Sequence, residues 1–167
     1  MVLFLASELM FFGGLFAAYF TLRSIAATWP PPDVHLDMGM TLAATAVLIA
    51  SSGTMHLGVA RFRRGDTPGL RRWLGITFLL GAIFLLIKAY ELSATGFGIA
   101  SHAYGSLFFT MLGAHGVHLG VGLVLLAVVG ATAVSRRSLP RCEAVAYYWH
   151  FVDGVWLAIF ATIYLIR

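Results

Sequence analysis

The residues of this chain that could do chemistry are ionisable side chains that lie within long apolar runs. They are Glu8, His56, Lys88, Glu91, His115, His118, His150 and Asp153. An ionisable group costs about 2.5 kcal/mol or more when it is inserted at the centre of a membrane-spanning helix, so each of them requires an explanation. Three pairs have a spacing of three positions, which places both members of a pair on one face of a helix. The pairs are Lys88 with Glu91, His115 with His118, and His150 with Asp153.

The residues alone leave three interpretations of these side chains open. In the first, the side chains hydrogen-bond to one another and fix one arrangement of the helices, while His56 extends towards the inner membrane surface. In the second, the histidines are ligands of a metal or a haem, although their spacing shows no repeated pair on two facing helices. In the third, the carboxylates and histidines relay protons. A chain without internal duplication lacks the symmetry of transporters that work alone, so the third interpretation favours membership of a larger proton-coupled assembly.

The composition predicts the elements that must position these residues. The 167 residues are 60% hydrophobic and 11% charged, and the mean hydropathy is +0.88, whereas soluble domains average about 25% charged residues. A single cysteine, Cys142, excludes an internal disulfide. A membrane-spanning helix needs about 20 mostly apolar residues. We therefore predict one all-α membrane domain over 1–167 with five transmembrane helices. The predicted helices cover residues 2–26, 37–60, 73–94, 104–134 and 143–166.

The arginines predict how this bundle is oriented. Five arginines lie in the predicted loop 61–72 and three in the loop 135–143, and in a five-helix bundle both loops lie on one side. The positive-inside rule then places the N-terminus in the cytoplasm and the C-terminus outside. At a rise of about 1.5 Å per residue, Glu8, His118 and His150 lie in the inner half of the bilayer, so we expect helices 1, 4 and 5 to meet around an inner polar cluster. The first apolar run lacks a basic n-region, so we expect no cleavable signal peptide.

Several segments carry a resemblance that covers essentially the whole chain. They are SELMFFGGLFAAYF (7–20), WPPP (29–32), RRGD (63–66), KAYELS (88–93), YGSLFFTMLGAHGVHLGVG (104–122) and YYWHFVDGVWL (147–157). In this order they resemble the motifs of subunit III of the haem–copper terminal oxidases, a class that includes the cytochrome c oxidases and the quinol oxidases. The chain is similar to the short, five-helix form of that family, since it lacks the first two helices of the seven-helix members.

The resemblance implies a non-catalytic accessory subunit with no catalytic centre and no haem, copper or other cofactor of its own. Haem and copper are expected in subunit I, on which this family packs together with further oxidase subunits, and phospholipid is expected as a bound lipid. The implied setting is a proton-translocating terminal oxidase of aerobic electron transport in the inner (plasma) membrane of a bacterium. The implied role is support of proton uptake and of the stability of the catalytic subunit during oxygen reduction.

The resemblance also implies roles for individual residues. Glu8 matches the intramembrane carboxylate of the family that reacts with hydrophobic carbodiimides, and it is expected to couple to proton uptake. A structural polar network is expected to contain Lys88, Glu91, His115, His118, His150 and Asp153. Arg136 and Arg137 lie where members carry basic residues near lipid headgroups. Lys88 departs from the family pattern, in which a neutral residue is commoner, and a pair with Glu91 would compensate.

Two alternatives stand beside this interpretation. The first is an accessory subunit of the nitric oxide reductase system, which shares the fold and many of the motifs. The second is a haem-binding membrane enzyme that uses the intramembrane histidines as ligands.

Overall fold

The fold consists of five long α-helices. The computed structural model describes residues 2–32, 34, 36–133 and 136–166, without the side chains of Val2 and Arg136. The helices are α1 (Val2–Ile25), α2 (Met38–Arg63), α3 (Thr67–Ala94), α4 (Ala103–Thr132) and α5 (Leu139–Phe160). A short 3-10 turn, Arg136–Ser138, precedes α5, and a π-helical turn, Ala161–Leu165, follows it. All five helices are long and apolar enough to cross a membrane, and the regular structure of the described residues is entirely helical, which confirms the predicted fold class.

The connection between α2 and α3 is shorter than the sequence predicts. α2 continues to Arg63 and α3 begins at Thr67 rather than at residue 73. The chain reverses at Gly65, whose φ of 88° lies in the left-handed region that favours glycine. Asp66 then caps α3, because its carboxylate accepts a hydrogen bond of 2.8 Å from the backbone N–H of Gly69. The charged residues that resemble a loop therefore belong to the ends of two helices.

α5 also begins earlier than predicted. It starts at Leu139 rather than at residue 143, and Pro140 lies in its first turn. Proline is well tolerated there, because the first N–H groups of a helix have no partner within the helix. The side chain of Arg63 at the end of α2 forms an ion pair of 2.7 Å with Glu143 near the start of α5. This contact places both arginine-rich segments at the same end of the bundle, as the orientation requires.

The helices α2, α3, α4 and α5 pack in a ring, and α1 lies outside it against α4 and α5. Trp149 of α5 is fully buried inside the ring. Its indole fits between α3 and α4 because two glycines face it. A Cβ atom at Gly81 would lie 2.6 Å from the indole, and one at Gly122 would lie 3.0 Å from it. Close contact at small residues is a general feature of packed membrane helices.

Candidate functional site

The ionisable residues predicted from the sequence form separate groups in the structure rather than one network. Among the described residues, no hydrogen bond joins one group to another. One group lies between α2, α3 and the π-helical turn, a second between α1, α4 and α5, and a third between α2 and α5. His115, which was expected in the network, lies apart from all three groups.

The first group is built around Lys88 and Glu91, which are almost fully buried. Lys88 Nζ donates to Glu91 Oε2 at 2.5 Å and to the hydroxyl of Thr41 at 3.1 Å. Tyr164 donates its hydroxyl to Glu91 Oε1 at 2.7 Å, and the Thr41 hydroxyl lies 3.2 Å from the same oxygen. The ammonium also lies 4.6 Å from the centroid of the Trp156 ring. Spacing along the helix predicted the ion pair, but it gave no sign of the two hydroxyl groups that complete it.

The second group joins the outer helix to the ring. Glu8 Oε2 on α1 lies 2.7 Å from Nε2 of His118 on α4, and about a fifth of each side chain is exposed. The hydroxyl of Tyr148 on α5 donates to the backbone carbonyl of His118 at 2.9 Å. The structure thus brings α1, α4 and α5 together at Glu8, as the depth estimate requires. The residue that α5 contributes is Tyr148 rather than the expected His150.

The third group explains where His150 lies. Residues two positions apart on a helix point in nearly opposite directions, so His150 lies on the side of α5 that faces α2. Its Nδ1 is 3.0 Å from the hydroxyl of Ser52, and that hydroxyl donates its proton in a hydrogen bond to Asp153 Oδ2. Ser52 therefore bridges the histidine and the aspartate. Sequence reasoning missed it, although hydroxyl residues in membrane helices often hydrogen-bond across an interface.

His115 differs from the other predicted members of the network. It is buried, and neither of its ring nitrogens has a hydrogen-bond partner among the described residues. It packs instead between aromatic rings, with ring centroids 6.1 Å from Phe84 and 5.3 Å from Trp156. The structure therefore places this histidine in an aromatic layer of the core.

The remaining candidate residues lie near the arginine-rich end of the bundle. Arg137 is exposed just before α5 begins, and the side chain of Arg136 lies outside the described part of the chain. His56 is exposed on α2, and it lines a cavity together with Arg63, Glu143 and His150. Over the described residues, no three side chains of histidine, cysteine, aspartate or glutamate are grouped so that they could hold a metal ion. The chemistry that the three groups show is hydrogen bonding and ion pairing.

Comparison with known proteins gives a match over nearly the entire chain. The family model described as "Cytochrome c oxidase subunit III" matches residues 1–166. The "Probable cytochrome c oxidase subunit 3" of Mycobacterium tuberculosis is 47% identical over 174 residues, which cover 99% of this chain and 86% of that protein.

More distant relatives agree with this match. The "Cytochrome c oxidase subunit 3" of Corynebacterium diphtheriae is 44% identical over 177 residues, with coverage of 99% and 86%. The protein of the same name from Thermostichus vulcanus is 35% identical over 173 residues, with coverage of 99% and 85%. The predicted resemblance is thereby confirmed, and with its bacterial relatives and five spans this is a multi-pass bacterial membrane protein that belongs to the cytochrome c oxidase subunit III family.

Proposed function

We propose that this chain packs against the catalytic subunit I of a bacterial haem–copper oxidase and supports its proton uptake and stability. The observation that carries the proposal is the family match over residues 1–166, which makes the chain an accessory subunit of such an oxidase. The relatives reported above are named as oxidase subunits, so an accessory role in the nitric oxide reductase system is not favoured. Their names support cytochrome c as the electron donor of the complex.

In this proposal, haem and copper are held by the partner subunit, and the residues of this chain supply packing and hydrogen bonds. The Lys88–Glu91 pair and the Ser52–His150–Asp153 group each join two or more helices, so they fix the shape that the chain presents to its neighbour. The arginine-rich end faces the cytoplasm by the positive-inside rule, and the membrane is the plasma membrane. Bound phospholipid near that end, with Arg136 and Arg137 at the headgroups, belongs to the same proposal.

Glu8 is the residue that the proposal links to proton uptake. It lies on α1, the least buried of the five helices, next to the exposed side chains of Leu9 and Met10. Its carboxylate is partly exposed and is paired with His118 at 2.7 Å. A carboxylate and a histidine at this distance can share a proton, and either could pass it to a group on a neighbouring subunit.

The accessibility of Glu8 from the lipid phase predicts its reactivity. A hydrophobic carbodiimide, which modifies protonated carboxyl groups, is expected to label the wild-type chain in membranes, and Glu8→Gln is expected to abolish the labelling. The glutamine amide can still hydrogen-bond to His118, so the variant is expected to assemble normally. Mass spectrometry of the labelled chain measures the result, with Glu143→Gln as the control that retains full labelling. Labelling that persists in Glu8→Gln would show that another carboxyl group is the reactive one.

Purification through this chain tests the proposed function itself. The chain carries an affinity tag and is extracted from the native membrane in mild detergent. We expect a haem- and copper-containing subunit to co-purify with it in an amount equal to that of the tagged chain. The haem spectrum and the copper content of the eluate give the measurement. If the chain elutes with no such subunit under conditions that keep other respiratory complexes intact, the proposal is wrong.

A further inference from the structure

A groove that contains several polar side chains runs along the outside of the bundle between α2 and α5, and we call it the α2–α5 groove. It consists of two cavities of about 210 Å³ each, which meet at His150. The first is lined by His56, Arg63 and Glu143 among others. The second is lined mainly by apolar side chains, among them Leu48, Ile49 and Leu157, together with Ser52 and Asp153. The groove thus follows a line of ionisable and hydroxyl side chains away from the arginine-rich end.

The groove extends to the middle of the membrane. The Arg63–Glu143 ion pair marks the end of the bundle. At about 1.5 Å per helical residue, His56 lies about 10 Å and Ser52 about 16 Å further along α2. The hydrocarbon core of a bilayer is about 30 Å thick. Ser52, and with it His150 and Asp153, therefore lies near the midplane.

Part of the hydrogen-bonding capacity at this depth is unused within the chain. Oδ1 of Asp153 is buried and has no hydrogen-bond partner among the described residues. His150 is exposed on the bundle surface, and its only hydrogen bond within the described part of the chain is the one from Nδ1 to Ser52. A polar group that faces hydrocarbon without a partner is strongly unfavourable. Acyl chains alone would leave the exposed His150 ring with no further partner, so they are an unfavourable covering for this groove.

The opposite side of the bundle shows what a lipid-facing surface looks like in this protein. The residues between Arg72 and Lys88 on α3 include no ionisable side chain. Its outward positions are exposed apolar residues, among them Leu79 and Leu86. The α3 face and the α2–α5 face therefore differ in chemistry at the same membrane depth, because the α2–α5 face presents the exposed His150 near the midplane and the α3 face presents no ionisable side chain there.

We propose that the α2–α5 groove is the docking surface for a transmembrane helix of another oxidase subunit. That helix carries a neutral side chain that both donates and accepts hydrogen bonds, a hydroxyl or an amide, at the depth of His150 and Asp153. Ala60, Ala146 and Gly154 line the groove, and such small residues allow the backbones of two helices to approach closely. This inference rests on the proposed function, because it requires that the chain be part of an assembled oxidase.

A pair of glycine substitutions tests the docking surface. Gly154 in the groove and Gly75 on α3 are both exposed, and a Cβ atom at either position would meet no other atom within 4 Å. Leucine at either position is therefore expected to leave the fold of the chain unchanged. The oxidase is purified through its haem- and copper-containing subunit. The chain that carries Gly154→Leu is expected to be missing from the purified complex, whereas the chain that carries Gly75→Leu is expected to remain in it like the wild type. Thermal unfolding of both chains, purified separately, checks that they are folded. Retention of folded Gly154→Leu at the wild-type ratio would overturn the proposal.

Site-specific cross-linking gives a second, independent test on otherwise intact complexes. The photo-reactive amino acid p-benzoylphenylalanine is placed at Leu157 in the groove or at Leu86 on α3, both of which are exposed. We expect a cross-link to another oxidase subunit from position 157 and to lipid alone from position 86. Cross-links from position 157 to lipid alone would show that the groove holds lipid and would overturn the docking surface.

The two proposals fail in different ways. If the wild-type chain isolates no haem- and copper-containing subunit, the proposed function is wrong and the docking surface with it. If the oxidase is intact but contacts the chain through position 86 rather than position 157, the proposed function stands and the docking surface is wrong.

Discussion

Replacement of Glu91 by leucine is expected to lower the free energy of unfolding by about 3–5 kcal/mol, because it leaves the ammonium of Lys88 buried without a carboxylate. Only 8% of the Lys88 side chain and 6% of the Glu91 side chain are exposed. Glu91 also accepts a hydrogen bond from Tyr164 and lies beside the hydroxyl of Thr41, and the substitution removes that acceptor from both groups. Unfolding of the purified chain in mixtures of mild and denaturing detergent, followed by circular dichroism, measures the loss.

A double substitution separates the effect of a lone charge from the effect of the pair. Lys88→Met combined with Glu91→Leu removes both charges and keeps apolar volume, and it is expected to recover most of the stability, because replacing a buried ion pair by packed apolar residues is often neutral or stabilising. The control is Glu143→Gln, which breaks the Arg63–Glu143 ion pair at the end of the bundle. That pair is substantially exposed, and such pairs contribute about 0–1 kcal/mol. A Glu91→Leu variant that loses no more stability than Glu143→Gln would contradict the structural role of the pair.

Trp149→Ala is expected to destabilise the chain by about 3–5 kcal/mol, the range seen when a large aromatic side chain is removed from a core. The indole is fully buried between α3 and α4, in contact with Gly81 and Gly122, and its Nε1 donates to the Ser51 hydroxyl at 3.1 Å. In a membrane, packing contacts between helices contribute more than the exclusion of water. The loss of those contacts and the cavity that remains are therefore the causes of the effect.

Tyr147 provides the matched control for Trp149. It is the aromatic residue two positions earlier on α5, and it is 62% exposed in the isolated chain. Tyr147→Ala is expected to change the stability of the isolated chain by no more than about 0.5 kcal/mol. The same detergent unfolding measurement compares the two variants. Equal stability losses for Trp149→Ala and Tyr147→Ala would contradict the view that α5 is held by the contact of Trp149 with the two glycines.

The features of this protein that depend on the length and hydropathy of the apolar runs, or on the spacing of residues along a helix, could be predicted from its sequence. The length and hydropathy of the apolar runs predicted five spans, and the structure confirms them. A spacing of three residues predicted the contact between Lys88 and Glu91, because it is a property of any helix. The ends of α3 and α5 were predicted less well. There a cap at Asp66 and a proline at position 140 extend the helices into segments whose charge resembles a loop.

The partners of the polar side chains were harder to predict, because they depend on how each helix is rotated about its axis. His150 and Tyr148 point in nearly opposite directions, so the rotation of α5 about its axis decides which of them faces α4 and which faces α2. Ser52 and Thr41 carry no charge, and nothing in the sequence distinguishes them from hydroxyl residues that bond only to their own backbone. His115 and His118 are three residues apart on α4, as Lys88 and Glu91 are on α3. His115 nevertheless packs among aromatic rings.

In the proposed function, this chain carries no redox centre and acts on a neighbour that does. The most direct measurement is the haem and copper content of each catalytic subunit in complexes purified with and without this chain, together with the optical spectrum of the chain alone. We predict the same haem and copper content in both complexes, a loss of activity during sustained turnover when the chain is missing, and no haem band from the isolated chain. A stoichiometric haem band in the isolated chain, or the loss of a haem or copper from the complex when the chain is removed, would contradict the claim.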